Sequence, residues 1–303
     1  MAATLASMAP CTLNATTVPV QGVSIDPAVK SVLSHHSGNE YPTLEAVNGS
    51  QGKIVLQIPF VPAFNLLGFT ALKLTTCDIF LATFANLLRQ SGANHTKYGL
   101  NTSCTAAAQI TSCSIKDGAL VANVEIVPLS TTGILAPLVP TSSVALPSLS
   151  SQPQLVTQGP VTINGTVRTG LISTEINLNG TLDARYDDDG VLYPIVAART
   201  QGQPEMVFQH SDPIALSALL GMIGASISSS TVAWFRPYDA TTGVVSNGGT
   251  GVSITVASGY VTPFALAASQ GQVATQGFRI RGLSTSSTHP FAVSVAATIP
   301  ALP

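Results

Sequence analysis

The sequence predicts a mainly β chain of two tandem modules, each a sandwich or barrel carrying one short α-helix. Three observations predict it. A stretch built around a Tyr-Pro pair occurs twice: Gly38, Tyr41, Pro42 and Ala46 recur as Gly190, Tyr193, Pro194 and Ala198 at an offset of 152. Leu66-Leu67-Gly68 recurs as Leu219-Leu220-Gly221 at 153, and Leu129-Ser130-Thr131 as Leu283-Ser284-Thr285 at 154. An offset that drifts in one direction is what duplication followed by small loop insertions leaves. Second, short β-branched runs are bounded by Asp117-Gly118, Asn164-Gly165 and Asn179-Gly180, the dipeptides of two-residue hairpins. Third, each copy follows a central strand with an apolar run opened by proline and closed by glycine.

The elements follow in order. Residues 1–21, rich in Ala, Thr and Pro without a period, read as an extended N-terminal arm. The first β module covers 22–133. Gln21 to Leu33 alternates loosely as a strand, and His35-His36-Ser37-Gly38 reads as a loop. Lys53 to Ile58 is a strand rich in β-branched residues. Pro62 suits the first turn of a short helix, where its missing N–H has no helical partner to lose, and Gly68 suits the left-handed residue after it. Cys77 to Phe84 is a strand, apolar enough to be covered on both faces. Asn86 to Tyr98 reads as a loop or hairpin tip, and Ser103–Ile115 and Leu120–Val127 as strands joined at Asp117-Gly118.

Residues 134–160 form a linker punctuated by Pro137, Pro140, Pro147, Pro153 and Pro160, expected to run extended and to pack along the modules. The second module covers 161–303. Glu175–Leu178 and Leu182–Tyr186 alternate as half-buried strands. Glu205–Gln209 matches Lys53–Ile58, and Asp212, Pro213 and Gly221 mark the start and stop of the second helix. Thr231–Phe235 matches the Asp78–Ala82 strand. Tyr238 to Gly251 is a glycine-rich loop. Val252–Val261 and Val273–Arg281 are strands, and Phe291–Val295 is a last edge strand.

Composition narrows the function. Charged residues make up 9% of 303, against roughly 25% in soluble domains. Such a surface of Ser, Thr, Asn, Gln and Ala can be covered by neighbouring copies with few ions to desolvate, which favours a large homo-oligomer over a weakly charged secreted protein. A net charge of −2 with 12 scattered Lys and Arg excludes a binder that works by neutralising phosphates. No apolar stretch is long enough for a membrane helix, and Met1 to Met8 has neither the basic nor the apolar region of a signal peptide.

Catalytic, metal and cofactor motifs are not found. Cys11, Cys77, Cys104 and Cys113 include no C-x-x-C pair. Cys104 and Cys113 could bridge neighbouring strands, but buried free thiols are the expectation. His35, His36, His95, His210 and His289 are dispersed, and adjacent histidines on a strand point to opposite faces. Asp187-Asp188-Asp189-Gly190 lacks the spacing and trailing Glu of a calcium loop and reads as a solvated turn. Gly248-Gly249-Thr250-Gly251 is not followed by the Lys of a phosphate loop. N-x-S/T triplets at Asn14, Asn48, Asn94, Asn101, Asn164 and Asn179 are what a Ser- and Thr-rich chain produces by chance. The expected catalytic, cofactor and metal residues are therefore none.

The order of loop, Tyr-Pro strand, strand, short helix ending Leu-Leu-Gly and late hairpin resembles the major tail tube proteins of long-tailed, siphovirus-like phages. The late hairpin is Asp117 to Ile126 in the first module and Gln270 to Ile280 in the second. In that family, β-sandwich modules close rings through a shared inner β-barrel, and rings stack into a tube that conducts DNA. The resemblance implies a virion protein assembled in the host cytoplasm, as a tandem-duplicated variant whose homotrimeric rings are pseudo-hexameric. It implies tape-measure, tail-terminator and tail-tip partners, and DNA that passes without specific binding. Tube proteins tend to an acidic lumen, whereas this chain has only 14 acidic residues. Two alternatives stand beside it: another virion ring protein (tail-tip, connector or decoration), and a secreted carbohydrate-binding β-sandwich. The latter would need an aromatic face, and Trp234 is the sole tryptophan, on a predicted core strand.

Overall fold

The computed structural model describes residues 10–26, 29–34, 44–50, 52–82, 95–116, 118–149, 155–168, 170–186, 191–200, 202–211, 224, 226–227, 231–238, 243–245, 250–267, 275–284 and 288–300. It is mainly β, with one helix among the described residues. The first sequence copy supplies β1 (Cys11–Leu13), β2 (Thr16–Val18), β3 (Gly22–Asp26), β4 (Val29–Ser34), β5 (Leu44–Ser50) and β6 (Lys53–Pro59). After α1 (Phe60–Leu67) come β7 (Leu72–Leu74), β8 (Cys77–Ala82), β9 (His95–Leu100), β10 (Thr105–Lys116), β11 (Ala119–Leu129) and β12 (Leu138–Val144). The second copy supplies β13 (Val156–Ile163), β14 (Thr166–Arg168), β15 (Leu171–Asn177), β16 (Leu182–Arg185), β17 (Val196–Arg199) and β18 (Glu205–His210). It ends with β19 (Ser226–Ile227), β20 (Thr231–Pro237), β21 (Thr250–Val256), β22 (Gly259–Ala267), β23 (Thr275–Gly282) and β24 (Phe291–Thr298).

The duplication is written in the pairing. One sheet runs β12-β9-β8-β1-β2 and another β24-β21-β20-β13-β14, so twelve added to each first-copy strand number gives its counterpart. The same rule holds for β3 on β6 and β15 on β18, β4 on β5 and β16 on β17, and β7 on β10 and β19 on β22. Registers agree as well: Leu74 lies opposite Ala106 as Ile227 lies opposite Gly259, both at an offset of 153.

Two compact units are built from this chain. Unit 1 is Met1–Ile110, Asn123–Gln152 and Thr181–Thr200; unit 2 is Thr111–Ala122, Pro153–Gly180 and Gln201–Pro303. Each unit therefore draws on both copies. The tip of the first-copy hairpin β10–β11 belongs to unit 2, and the second-copy strands β16 and β17 belong to unit 1.

Alternation sets the cores. In β6, Ile54, Leu56 and Ile58 are buried while Lys53, Val55 and Gln57 face away. Their second-copy equivalents Met206, Phe208 and His210 are buried in unit 2, with the Phe208 ring stacked on Phe278 at 5.0 Å. Pro62 sits in the first turn of α1, as its missing N–H requires. Gly68 follows the helix at φ 61° and its N–H closes onto Phe64 O at 2.8 Å. Phe60, Phe64 and Phe69 gather around that end of the helix with centroids 5.1 to 6.3 Å apart.

Several expectations need correction. The arm expected over 1–21 is folded from residue 10: β1 and β2 form a hairpin on β8, with Cys11, Leu13, Val18 and Val20 buried. Asn14 and Ala15 take its turn at φ 45° and 63°, and Ala15 at the second position hid the hairpin signal. The Gln21–Leu33 strand is two, β3 and β4. His95 is not in a loop but buried in β9. The linker is ordered in part: β12 lies on β9 as an edge strand, where Pro140 loses no ladder bond, and β13 begins at Val156, inside the expected 134–160. Asn179-Gly180 does not close a hairpin, because β15 pairs β10 and β18 while β16 pairs β17; the Asn179 side chain donates to Gln203 O instead, at 2.8 Å. The Val252–Val261 strand is broken at Ala257-Ser258 into β21 and β22. The His35-His36 loop, the Tyr41-Pro42 pair, the Asp187–Asp189 run and the expected second helix after Asp212 lie outside the described residues.

Candidate functional site: joined and open strand edges

One ion pair in each copy sits in a corresponding place with opposite sign. In unit 1, the Glu125 carboxylate on β11 is buried, held by Lys53 on β6 at 2.7 Å and by the Gln109 amide on β10 at 2.9 Å. In unit 2, Glu205 on β18 is held by Arg279 on β23 at 3.0 Å, with Arg281 at 3.9 Å. Lys53 corresponds to Glu205 and Glu125 to Arg279, at the offsets of 152 and 154 that the motifs define. A charge buried in a sheet face must be paired. The position thus keeps a pair, not a particular acid or base.

The cysteines are inward as well. The thiols of Cys11, Cys77, Cys104 and Cys113 are all free and buried. Burial pushes the Cys77 thiol up to about 12, with Asp78 adding to it, and raises those of Cys11 and Cys113. These are the inverse of reactive thiols. His95 and His210 are buried in different strands, and His289 accepts from the Phe291 N–H at 3.1 Å in a local turn. Trp234 is half-buried on β20 between the buried Ala233 and Phe235. Among the described residues no group of three or more His, Cys, Asp or Glu could hold a metal ion, and no helix is long and apolar enough to cross a membrane. A recess of about 440 Å³ in unit 1 is lined by Ile25, Tyr98, Pro137 and Tyr193, with Asp26 and Lys53 among its few charged groups. Its lining is mostly proline and aliphatic side chains.

What the sheets do offer is edges. The outer edge of β10 is shared. β7 takes Ala106–Ala108, and farther along, within unit 2, the second-copy strand β15 takes Ser112–Ser114 in the register Ser112↔Asn177, Cys113↔Ile176, Ser114↔Glu175. One copy of the module is thereby hydrogen-bonded, main chain to main chain, to the other. The counterparts of this join are β22 and β3. On β22, β19 takes only Gly259 and Tyr260, and no described strand pairs beyond them on that side. β3 has β6 on one side and ends its sheet on the other. Unpaired edges of this kind template further strand pairing.

No protein-family model matches the chain, and no curated protein matches it in sequence.

Proposed function

We propose that this chain is a structural subunit of a phage tail tube, its copies closing into stacked rings around a channel that conducts DNA. One observation carries the reading. A first-copy strand already joins a second-copy strand by main-chain pairing, and the two edges that would repeat the join between chains, β22 beyond Tyr260 and the outer side of β3, carry no strand among the described residues. A head-to-tail contact repeated between identical chains closes into a ring or runs on as a filament. Three duplicated chains would supply six modules while making three associations in place of six, which lowers the rigid-body entropy cost. Low charge suits surfaces that neighbours cover, and 12 Lys and Arg in 303 residues suit a channel through which DNA passes without binding. The virion setting, the tape-measure, terminator and tail-tip partners, and a role that is structural and not enzymatic follow from the resemblance in motif order.

Negative-stain electron microscopy of the purified, overexpressed chain tests it. Long hollow tubes of stacked rings with threefold or pseudo-sixfold end views are the expected result. Discrete single rings would move the assignment to a tail-tip or connector component. Dispersed monomers at high concentration would overturn both and return the secreted-domain alternative, which sugar-dependent binding in a glycan screen would support.

A further inference from the structure

The segment β15–β17 is second-copy in sequence yet lies on first-copy strands. β15 pairs the tip of β10 within unit 2. Farther on, β16 and β17 belong to unit 1, where Leu182 and Ala184 pack with Ala107, Val127 and Leu129 and Ala197 lies against them. The loop before β17 is pinned there too: the Leu192 and Tyr193 N–H groups both donate to Gly133 O at 2.8 Å, and the Ser130 N–H donates to Pro194 O at 2.8 Å. Under this cover Ala107 and Leu129 are each 8% exposed.

The matching surface in the second copy is half exposed. Ala107 corresponds to Tyr260 through the shared β7/β19 register, and Leu129 to Leu283 through the repeated Leu-Ser-Thr. Both Tyr260 and Leu283 are 48% exposed. Val127, buried, corresponds to Arg281, whose side chain is 50% exposed. A Tyr and a Leu half in water, beside a strand edge that has no described partner beyond Tyr260, form a face whose first-copy twin is buried.

We infer that this face, Tyr260, Arg281 and Leu283 together with the edge of β22 beyond Tyr260, is the docking surface for β3–β5 of a second copy of this chain. The occupant follows from the template: β3, β4 and β5 are the counterparts of β15, β16 and β17. The first-copy register of β3 on β6 (Ile25↔Ile54, Asp26↔Lys53) matches that of β15 on β18 (Ile176↔Met206, Asn177↔Glu205). Transferring the β10–β15 join sets the pairing between chains as Ala265↔Asp26, Leu266↔Ile25 and Ala267↔Ser24. The contact is continuous with one the chain already makes to itself. Its two halves are different surfaces, so each copy has one to give and one to receive. The interface presupposes the self-assembly proposed above, but not a tube.

Disulfide trapping in the full-length protein tests the register. Ile25→Cys with Leu266→Cys should give a ladder of covalently linked chains on a non-reducing gel, and neither single variant should. Ile176→Cys is the positive control, because native Cys113 faces that position and the new bridge stays within one chain. Leu283→Asp combined with Tyr260→Asp puts two carboxylates on the half-exposed face and should weaken self-association in sedimentation velocity by roughly 30-fold or more, the loss expected of an interface anchor. The second variant decides the matter if the cysteine pair fails to fold. A protein that self-associates without a ladder, or whose association survives both aspartates, would overturn the interface, as would a monomer at all concentrations. A ladder without tubes keeps the interface and removes the tube; tubes without a ladder do the reverse.

Discussion

The two copies share a strand order and almost no side chains. Lys53 with Glu125 becomes Glu205 with Arg279; Leu56 and Val124 become the stacked Phe208 and Phe278; the Asn14-Ala15 turn becomes Asn164-Gly165. What survives is the kind of constraint at each site. A charge buried on a sheet face keeps a partner of the opposite sign. A core position stays apolar while its neighbours repack around a new volume. A hairpin turn keeps two residues at positive φ. The fold tolerates this exchange because each requirement is local and physical, and the second copy records which exchanges the first should accept.

The sharpest way to break that correspondence is to move the ion pair. Lys53→Met leaves the Glu125 carboxylate buried with Gln109 alone. Loss of one partner of a buried pair costs roughly 3–5 kcal/mol, and the expectation here is about 2 kcal/mol because the Lys53 side chain is 46% exposed. Glu125→Arg alone sets two cations together and should cost at least about 3 kcal/mol. Lys53→Glu with Glu125→Arg recreates the second-copy pair. The longer arginine needs room, which Gln109→Thr provides, since Thr262 holds that place in the second copy. The triple variant should return to within about 1 kcal/mol of the parent in urea denaturation. A triple variant as unstable as its worst single would mean that the two sites are not equivalent.

A second difference is chemical. Cys11 and Cys77 of the first copy stand where the second has Val161 and Thr231, because Thr12↔Asp78 and Thr162↔Val232 are equivalent pairs, so the match of Thr231–Phe235 to Asp78–Ala82 expected from the sequence is one residue out of register. The Cys77 thiol is lifted from 9.0 to about 12, mainly by burial. Below the unfolded value both states hold the proton and stability does not depend on it. Between 9.0 and about 12 the unfolded chain releases the proton and the folded chain keeps it, so stability falls as pH rises. At about pH 10.5 the loss from this thiol is on the order of 2 kcal/mol. Cys11→Val with Cys77→Thr, the second-copy residues, should flatten the decline in melting temperature expected of the parent above pH 9.0. An unchanged slope would place the alkaline sensitivity elsewhere.

How much was legible follows from where each constraint acts. The duplication, the β class, the strand Lys53–Ile58 and the Asp117-Gly118 hairpin were readable because turn chemistry and alternation are local. The joined edges were not. Ser112-Cys113-Ser114 and Glu175-Ile176-Asn177 are about 60 residues apart and pair through main-chain groups that every residue carries. Their side chains hold no record of the partner. The half-exposed face is likewise invisible in sequence, since Tyr260 and Leu283 look like ordinary strand residues until the cover on Ala107 and Leu129 is seen. Asn179-Gly180 misled for the opposite reason: the dipeptide fits a hairpin, but the chain leaves unit 2 there.

The N-terminal hairpin was missed for a reason that can be measured. Thr12-Leu13-Asn14-Ala15-Thr16 repeats Thr162-Ile163-Asn164-Gly165-Thr166 in all but its glycine and one aliphatic residue. Ala15 sits at φ 63°, where a Cβ crowds the following carbonyl at about 1–2 kcal/mol. Bonds from the turn offset that strain: the Thr75 N–H donates to Asn14 Oδ1 at 2.8 Å and the Ala15 N–H to Thr76 Oγ1 at 3.1 Å. Ala15→Gly relieves the strain and leaves both bonds, at an entropic cost of roughly 0.5–1 kcal/mol in the unfolded chain. A net gain of about 0.5 kcal/mol in urea denaturation is expected, and Gly165→Ala should lose a similar amount. If Ala15→Gly instead destabilises, the turn depends on the alanine methyl, and the two hairpins are alike in shape but not in what holds them.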